Sequence, residues 1–226
     1  MKIMIINPNS DPVMTKFIQD SADEYALGEF FVICKLTPGA SHFIGSYEDI
    51  ANSALGMIQL IRENESEYDG FVIACGGDPN LDLMKEITRK PVVGMAESSM
   101  KIASMLGHRF AIIQTTKRSV PYKESLIYKY HMDSVGFAKV SKEGISHYRN
   151  EREIYEAAKS AIEEDGAEVI ILSCAGMAGI DRILTKKLGV PVLDGIKCGL
   201  IILTGLIRYG ISTSKIGRYK PKDIEI

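Results

Sequence analysis

The sequence predicts an α/β fold made of two similar α/β subdomains with parallel sheets. Three observations predict it. Short β-branched runs alternate with longer amphipathic stretches. Most of those runs are apolar on both faces, as strands are when helices cover both sides of a sheet. The two halves of the chain also repeat one pattern in one order.

Taken in order, KIMII, FFVICKL, FVIAC, PVVGM, RFAIIQ, EVIILSC and PVLDG read as strands. Helical patterns cover Ser10–Tyr25, Tyr47–Asn64, Leu81–Lys90, Glu97–Leu106, Tyr122–Tyr130, Glu151–Asp165 and Ala178–Leu188. Ser10 before Asp-Pro reads as a helix cap with proline in the first turn. Gly107 and Gly189 stand where a glycine closes a helix.

The repeat sets the architecture. In each half a strand ending in polar residues is followed, about 60 to 70 residues later, by a strand ending in Cys and Gly. Cys75 precedes Pro91 by 16 residues and Cys174 precedes Pro191 by 17; each Pro opens a further strand and helix. The expected first subdomain holds residues 1–96 plus 209–226, and the second holds 97–208. A pseudo-twofold relation would place the active site in the cleft between them.

Composition narrows the function classes. The chain has 226 residues, 46% of them hydrophobic, and a net charge of −2. Nothing in that balance favours nucleic acid or an anionic membrane as a partner. The apolar run near the start stops at Asn-Pro-Asn, too short for a signal sequence, and the stretch Leu200–Ile207 is too short to span a bilayer. The expected setting is cytoplasmic. No GxGxxG or Walker pattern occurs, and His108, His131 and His147 lack metal-ligand spacing.

The four cysteines, Cys34, Cys75, Cys174 and Cys198, form no CxxC pair. Cys34 and Cys198 read as small buried hydrophobes. Cys75 and Cys174 differ, because they occupy matching strand ends of the repeat, where open α/β sheets bind ligands. Stereoinversion needs a group on each face of one carbon, and thiols titrate close enough to neutral pH for acid/base work. Gly76, Gly77, Ala175 and Gly176 make turns whose N–H groups can converge on an anion and hold an enolate oxygen.

Other polar residues have ordinary readings beside functional ones. Asp78 reads as a helix cap, with orienting the Cys75 turn as the alternative. Glu97 and Asp194 brace the site or cap helices. Lys197 reads as a solvated lysine rather than a substrate anchor. His42 reads as incidental to its loop, and residues 208–219 as a packed or solvated end.

The sequence resembles the Asp/Glu/hydantoin racemase superfamily, most closely its hydantoin and allantoin racemase branch, over nearly the whole chain. INPNS (Ile6–Ser10) is similar to its INPN motif, CGGDPNLD (Cys75–Asp82) to CFGDPGLD, and PVVGMAESS to PVVGIxEAA. The segment from Pro38 to Asp49 lies where GPxSIES belongs. RSVP, LSCAGMAG, GVPVLDG and TSKIGRY follow in order. The resemblance implies a racemase with no cofactor and no metal, acting on a small-molecule carbon acid such as a 5-substituted hydantoin or allantoin. It implies Cys75 and Cys174 as the two bases. Asn7, Ser41 and Thr115 would contact substrate, with Gly76, Gly77, Ala175 and Gly176 as backbone donors. A homo-oligomer is compatible with it.

Departures from the family pattern concern the pocket wall. Gly76 stands for Phe, Asn80 for Gly, Ser98 and Ser99 for Ala-Ala, and Lys197 and Cys198 for small residues. They imply a larger, more polar pocket. Two rival functions are an isomerase or decarboxylase of a small dicarboxylate in the same fold, and a non-catalytic small-molecule binding protein. Two matched cysteines favour racemisation over single-cysteine decarboxylation. Solvent deuterium uptake at the α-carbon separates catalysis from mere binding.

Overall fold

A computed structural model describes residues 1–140, 145 and 150–221. His147 and residues 222–226 lie outside the described residues. The chain divides into two compact units. One comprises Met1–Ala74, Asp78–Gly94 and Gly199–Ile226; the other comprises Cys75–Gly77 and Met95–Cys198.

The first unit is built on β1 (Lys2–Asn7), β2 (Phe31–Leu36), β3 (Gly70–Ile73) and β4 (Val92–Gly94), all parallel, in the order β2-β1-β3-β4. Its helices are α1 (Pro12–Ala26), α2 (Tyr47–Asn64) and α3 (Leu81–Ile87). Met4, Ile6, Phe71 and Ile73 project to one sheet face and pack with Met57, Leu60, Ile61 and Met84. That spacing of two is the pleat expressed as burial.

The second unit repeats the plan with β5 (Phe110–Gln114), β6 (Gly136–Val140), β7 (Val169–Leu172) and β8 (Val192–Asp194), parallel, in the order β6-β5-β7-β8. Around it lie α4 (Met95–Leu106), α5 (Val120–Lys129), α6 (Glu151–Glu163) and α7 (Asp181–Leu188). Ala111, Ile113, Ile170 and Leu172 meet α6 and α7 through Ile154, Ala158 and Leu184. Phe110, Ile112, Val169 and Ile171 meet α4 and α5 through Met100, Leu126 and Ile127. Both faces are covered, which is why these strands read as unbroken apolar runs.

The last helix, α8 (Gly195–Tyr209), passes from one unit to the other. From Gly199 onward it lies against β3: a Cβ on Gly199 would come 2.8 Å from Val72, and one on Gly70 would come 2.8 Å from Leu203. This packing goes with a division at 198/199, where the sequence suggested 208/209; the other division falls at 94/95 rather than 96/97. The C-terminal segment is fastened to the first unit. Ser212 donates to the Arg89 carbonyl, Lys215 to the Lys85 carbonyl and Tyr219 to Asp82.

Several element ends differ from the sequence expectation. Asp11, not Ser10, caps α1; its carboxylate accepts the Val13 N–H at 2.8 Å and Pro12 takes the first helical position. Gly189 closes α7 with φ 73°, as expected, whereas Gly107 is not among the positive-φ glycines. α3 stops at Ile87 because Thr88 is extended. The run before α7 is a 3₁₀ turn at Ala175–Met177 followed by an extended Ala178. β6 was not anticipated. It is an edge strand, half-buried throughout, so its sequence GFAKV carries no continuous apolar signal.

Candidate active site

β3 ends at Ile73, and the chain enters a turn through Ala74, Cys75, Gly76 and Gly77. Residues 75–77 belong with the second unit. The reason is a close backbone approach: a Cβ on Gly76 would lie 1.6 Å from the Ser173 carbonyl oxygen, so no side chain fits at position 76. The next residue is held by α5, where the Tyr122 hydroxyl donates to the Gly77 carbonyl at 2.8 Å. The Cys75 turn is thus pinned at two successive residues.

Beyond that turn, Asp78 has φ 44° and is buried. It does not cap α3. Asn80 precedes that helix, in the left-handed region, and its amide donates to the Ile50 carbonyl and the Ser53 hydroxyl. The Asp78 carboxylate instead lies against Gly94 at the end of β4, where a Cβ would come within 2.4 Å of it.

The second turn begins as β7 ends at Leu172. Cys174 is extended, and Ala175, Gly176 and Met177 form a 3₁₀ turn in which Met177 N–H donates to the Cys174 carbonyl at 2.8 Å. Both Cys75 and Cys174 are half-buried and outside any disulfide. Burial pushes the Cys174 thiol up to about 11; the Gly176 N–H lowers it, the charge of Cys75 raises it, and the Lys123 ammonium and the Met177 N–H lower it. Gly176 therefore supplies a backbone donor in this turn, directed at sulfur.

Asp194, at the end of β8, combines both roles weighed from sequence. Its Oδ1 accepts the Ile196 N–H of α8 at 2.8 Å, and its Oδ2 accepts the Gly179 N–H of the Cys174 loop at 2.9 Å. Lys197 is not solvated. It is buried, and its Nζ donates to Asp181 Oδ1 at 2.8 Å. These bonds tie the loop after Cys174 to the start of α8. Cys198 is buried, and burial pushes its thiol up to about 12, in keeping with a packing role. Burial likewise pushes the Cys34 thiol up.

In the first unit, Asn7 is fully buried at the end of β1. Its amide donates to Asn9 Oδ1 at 2.7 Å and to Thr15 Oγ1 at 2.9 Å. Both amide hydrogens are engaged, so a bond donated by Asn7 to a substrate would displace one of them, whereas its Oδ1, which accepts the Asn9 N–H, keeps a second lone pair. The Ser41 side chain hydrogen-bonds Asp49, and together with Ser46 and the Gly45 N–H it holds that carboxyl down at about 2. His42 is exposed, with its ring nitrogen 3.8 Å from Asp11. Thr115 is half-buried just past β5, and its carbonyl accepts the Ile145 N–H. Among the described residues, no cluster of His, Cys, Asp or Glu could hold a metal ion, and no helix is long and apolar enough to cross a membrane.

Two residues of this site were not recognised from sequence, Tyr122 and Lys123. Lys123 is buried, and its Nζ lies 3.0 Å from the place a Gly76 Cβ would take. The available signal was its spacing: Lys123 precedes Leu126 and Ile127 by three and four residues, which puts a lysine on the apolar face of α5. Behind Gly76 and Ser173 lies a small void lined also by Met95, Ser99, Met100 and Ile171. Ser99 donates to the Met95 carbonyl at 2.6 Å, while the neighbouring buried Ser98 Oγ has no hydrogen-bond partner among the described residues.

The solved allantoin racemase from Klebsiella pneumoniae superposes with a TM-score of 0.93 at 29% identity, covering 100% of this chain and 95% of that one. A hydantoin racemase from Pseudomonas sp. (strain NS671) is 39% identical, covering 97% of this chain and 91% of that protein. A hydantoin racemase from Paenarthrobacter aurescens is 33% identical, covering 97% of each. The chain is an isomerase of the racemase type. The Asp/Glu/Hydantoin racemase family matches residues 3–201, and the chain belongs to that family.

Proposed function

We propose that the protein racemises a 5-substituted hydantoin or an allantoin-like carbon acid by proton transfer between Cys75 and Cys174. One observation carries the reading: the two cysteine turns abut, with Gly76 against the Ser173 carbonyl and the charge of Cys75 acting on Cys174. The naming of relatives as hydantoin and allantoin racemases supports the substrate class. Neither cysteine is in a disulfide, as a mechanism using two thiols requires.

In this scheme one sulfur is a thiolate and the other a thiol. The thiolate takes the proton from the carbon beside the carbonyl, forming S–H as C–H breaks. The electron pair moves into the carbonyl to give an enolate, which backbone N–H groups of the turns hold. The opposite thiol then delivers its proton to the other face of the carbon and becomes the thiolate. Atoms and charge balance without a cofactor. The Cys174 thiol, pushed up to about 11, rests protonated at neutral pH and suits the donor role.

Optically pure 5-substituted hydantoins, allantoin, aspartate and glutamate incubated in D₂O test this by polarimetry and NMR. The expected result is inversion of a hydantoin or allantoin with one solvent deuteron entering at C5. Cys75→Ser and Cys174→Ser should each abolish it. Wild-type racemisation in either variant rules out the two-thiol scheme.

A further inference from the structure

Turnover by the scheme above keeps one negative charge between the two turns at every stage: on one sulfur, on the enolate, then on the other sulfur. A half-buried pair of thiols holds such a charge poorly unless something positive stands near it. The structure contains such a group. Lys123 is 6% exposed, and its Nζ lies 3.0 Å from the Cβ position of Gly76, the residue between Cys75 and the Gly77 carbonyl. Gly76 itself abuts Ser173, which precedes Cys174. The ammonium therefore stands beside the point where the two turns meet.

Its position is fixed from the helix side. Tyr122, the preceding residue, donates its hydroxyl to Gly77, and the Lys123 Nζ lies 6.0 Å from the Tyr122 ring centroid. Leu126 and Ile127 anchor the same helix in the core of the second unit. The glycine at position 76 matters here as well, since any side chain there would crowd both the Ser173 carbonyl and the ammonium.

We propose that Lys123 is a positioning residue of the thiol pair: its buried ammonium, set by α5 beside the abutting Cys75 and Cys174 turns, favours the thiolate form of the pair before and after the proton transfer. This rests on the two-thiol reading for its meaning in catalysis, but the electrostatic part stands apart from it. Among the described residues, the charged groups acting on Cys174 are Cys75 and Lys123, with the backbone N–H groups of Gly176 and Met177 beside them.

The test reads thiolate formation directly. Alkylation of Cys174 by iodoacetamide, followed peptide by peptide by mass spectrometry from pH 6 to 10.5, gives its rate against pH in wild type, Lys123→Met and Lys123→Arg. Far-UV circular dichroism establishes folding, and Lys123→Gln replaces Lys123→Met if the latter does not fold. Loss of the charge should slow Cys174 alkylation at pH 8 by about tenfold and move the profile to higher pH by about one unit. Lys123→Arg should restore most of it. Racemisation kcat/KM should shift along pH in the same direction. An unmoved alkylation profile in the folded uncharged variant overturns the proposal, whatever the enzyme's activity. A shifted alkylation profile in a protein that racemises none of the substrates sustains the role of Lys123 and overturns the two-thiol racemase reading instead.

Discussion

The carbonyl oxygen of Ser173 lies so close to Gly76 that a methyl group on position 76 would stand 1.6 Å from it. In this chain a side chain at position 76 therefore requires the Ser173 backbone to shift. Gly76→Ala is expected to cost about 1–3 kcal/mol of stability and to reduce racemisation at least a hundredfold. Urea denaturation and polarimetry measure the two effects. Normal turnover in the Gly76→Ala variant would show that the turns need not touch during catalysis.

Asp194 accepts two backbone N–H groups on different loops. Asp194→Ala removes both acceptors and leaves the Ile196 and Gly179 donors to find others. The expected loss is about 2–3 kcal/mol, with a larger drop in kcat than in KM because the Gly179 bond restrains the loop that carries Cys174. Asp194→Asn, which keeps one acceptor, should fall between Ala and wild type in thermal stability.

The Lys197–Asp181 pair is buried on both sides. Removing one member strands the other charge, and Lys197→Met should destabilise by about 3–5 kcal/mol. The double change Lys197→Met with Asp181→Leu removes the charge problem and should recover most of the loss. A double variant no more stable than the single one would mean that the pair does more than neutralise itself.

Alkaline pH should weaken the fold. Cys174 and Cys198 are held up to about 11 and about 12 by burial, above their value of 9.0 when exposed. The folded chain then binds more protons than the unfolded chain between those values, so stability falls as pH rises. The full contribution is present below about pH 9 and is lost through about 11 to 12. Melting temperatures between pH 8 and 11.5 check this, and Cys198→Ala should flatten part of the decline. Parallel slopes for wild type and variant would assign the decline to other groups.

The repeat made the fold legible. Seven apolar runs became seven of the eight strands among the described residues, and the central ones were plain because helices cover both their faces. β6 escaped because an edge strand is only half-buried and need not be apolar. The cysteines were legible because their matched positions in the repeat are a property of the sequence itself. Lys123 was not, since what makes it notable is a distance to Gly76, a residue 47 positions away. Lys197 misled for the same reason: its partner, Asp181, lies 16 residues away, and nothing in the local pattern announces a buried pair.

Each compact unit includes a piece from the other half of the chain: residues 75–77 sit with the second, and residues from Gly199 onward with the first. Neither half-length duplicate is therefore self-sufficient. Severing the polypeptide between Gly94 and Met95 would yield two fragments that each lack a segment of their own compact unit.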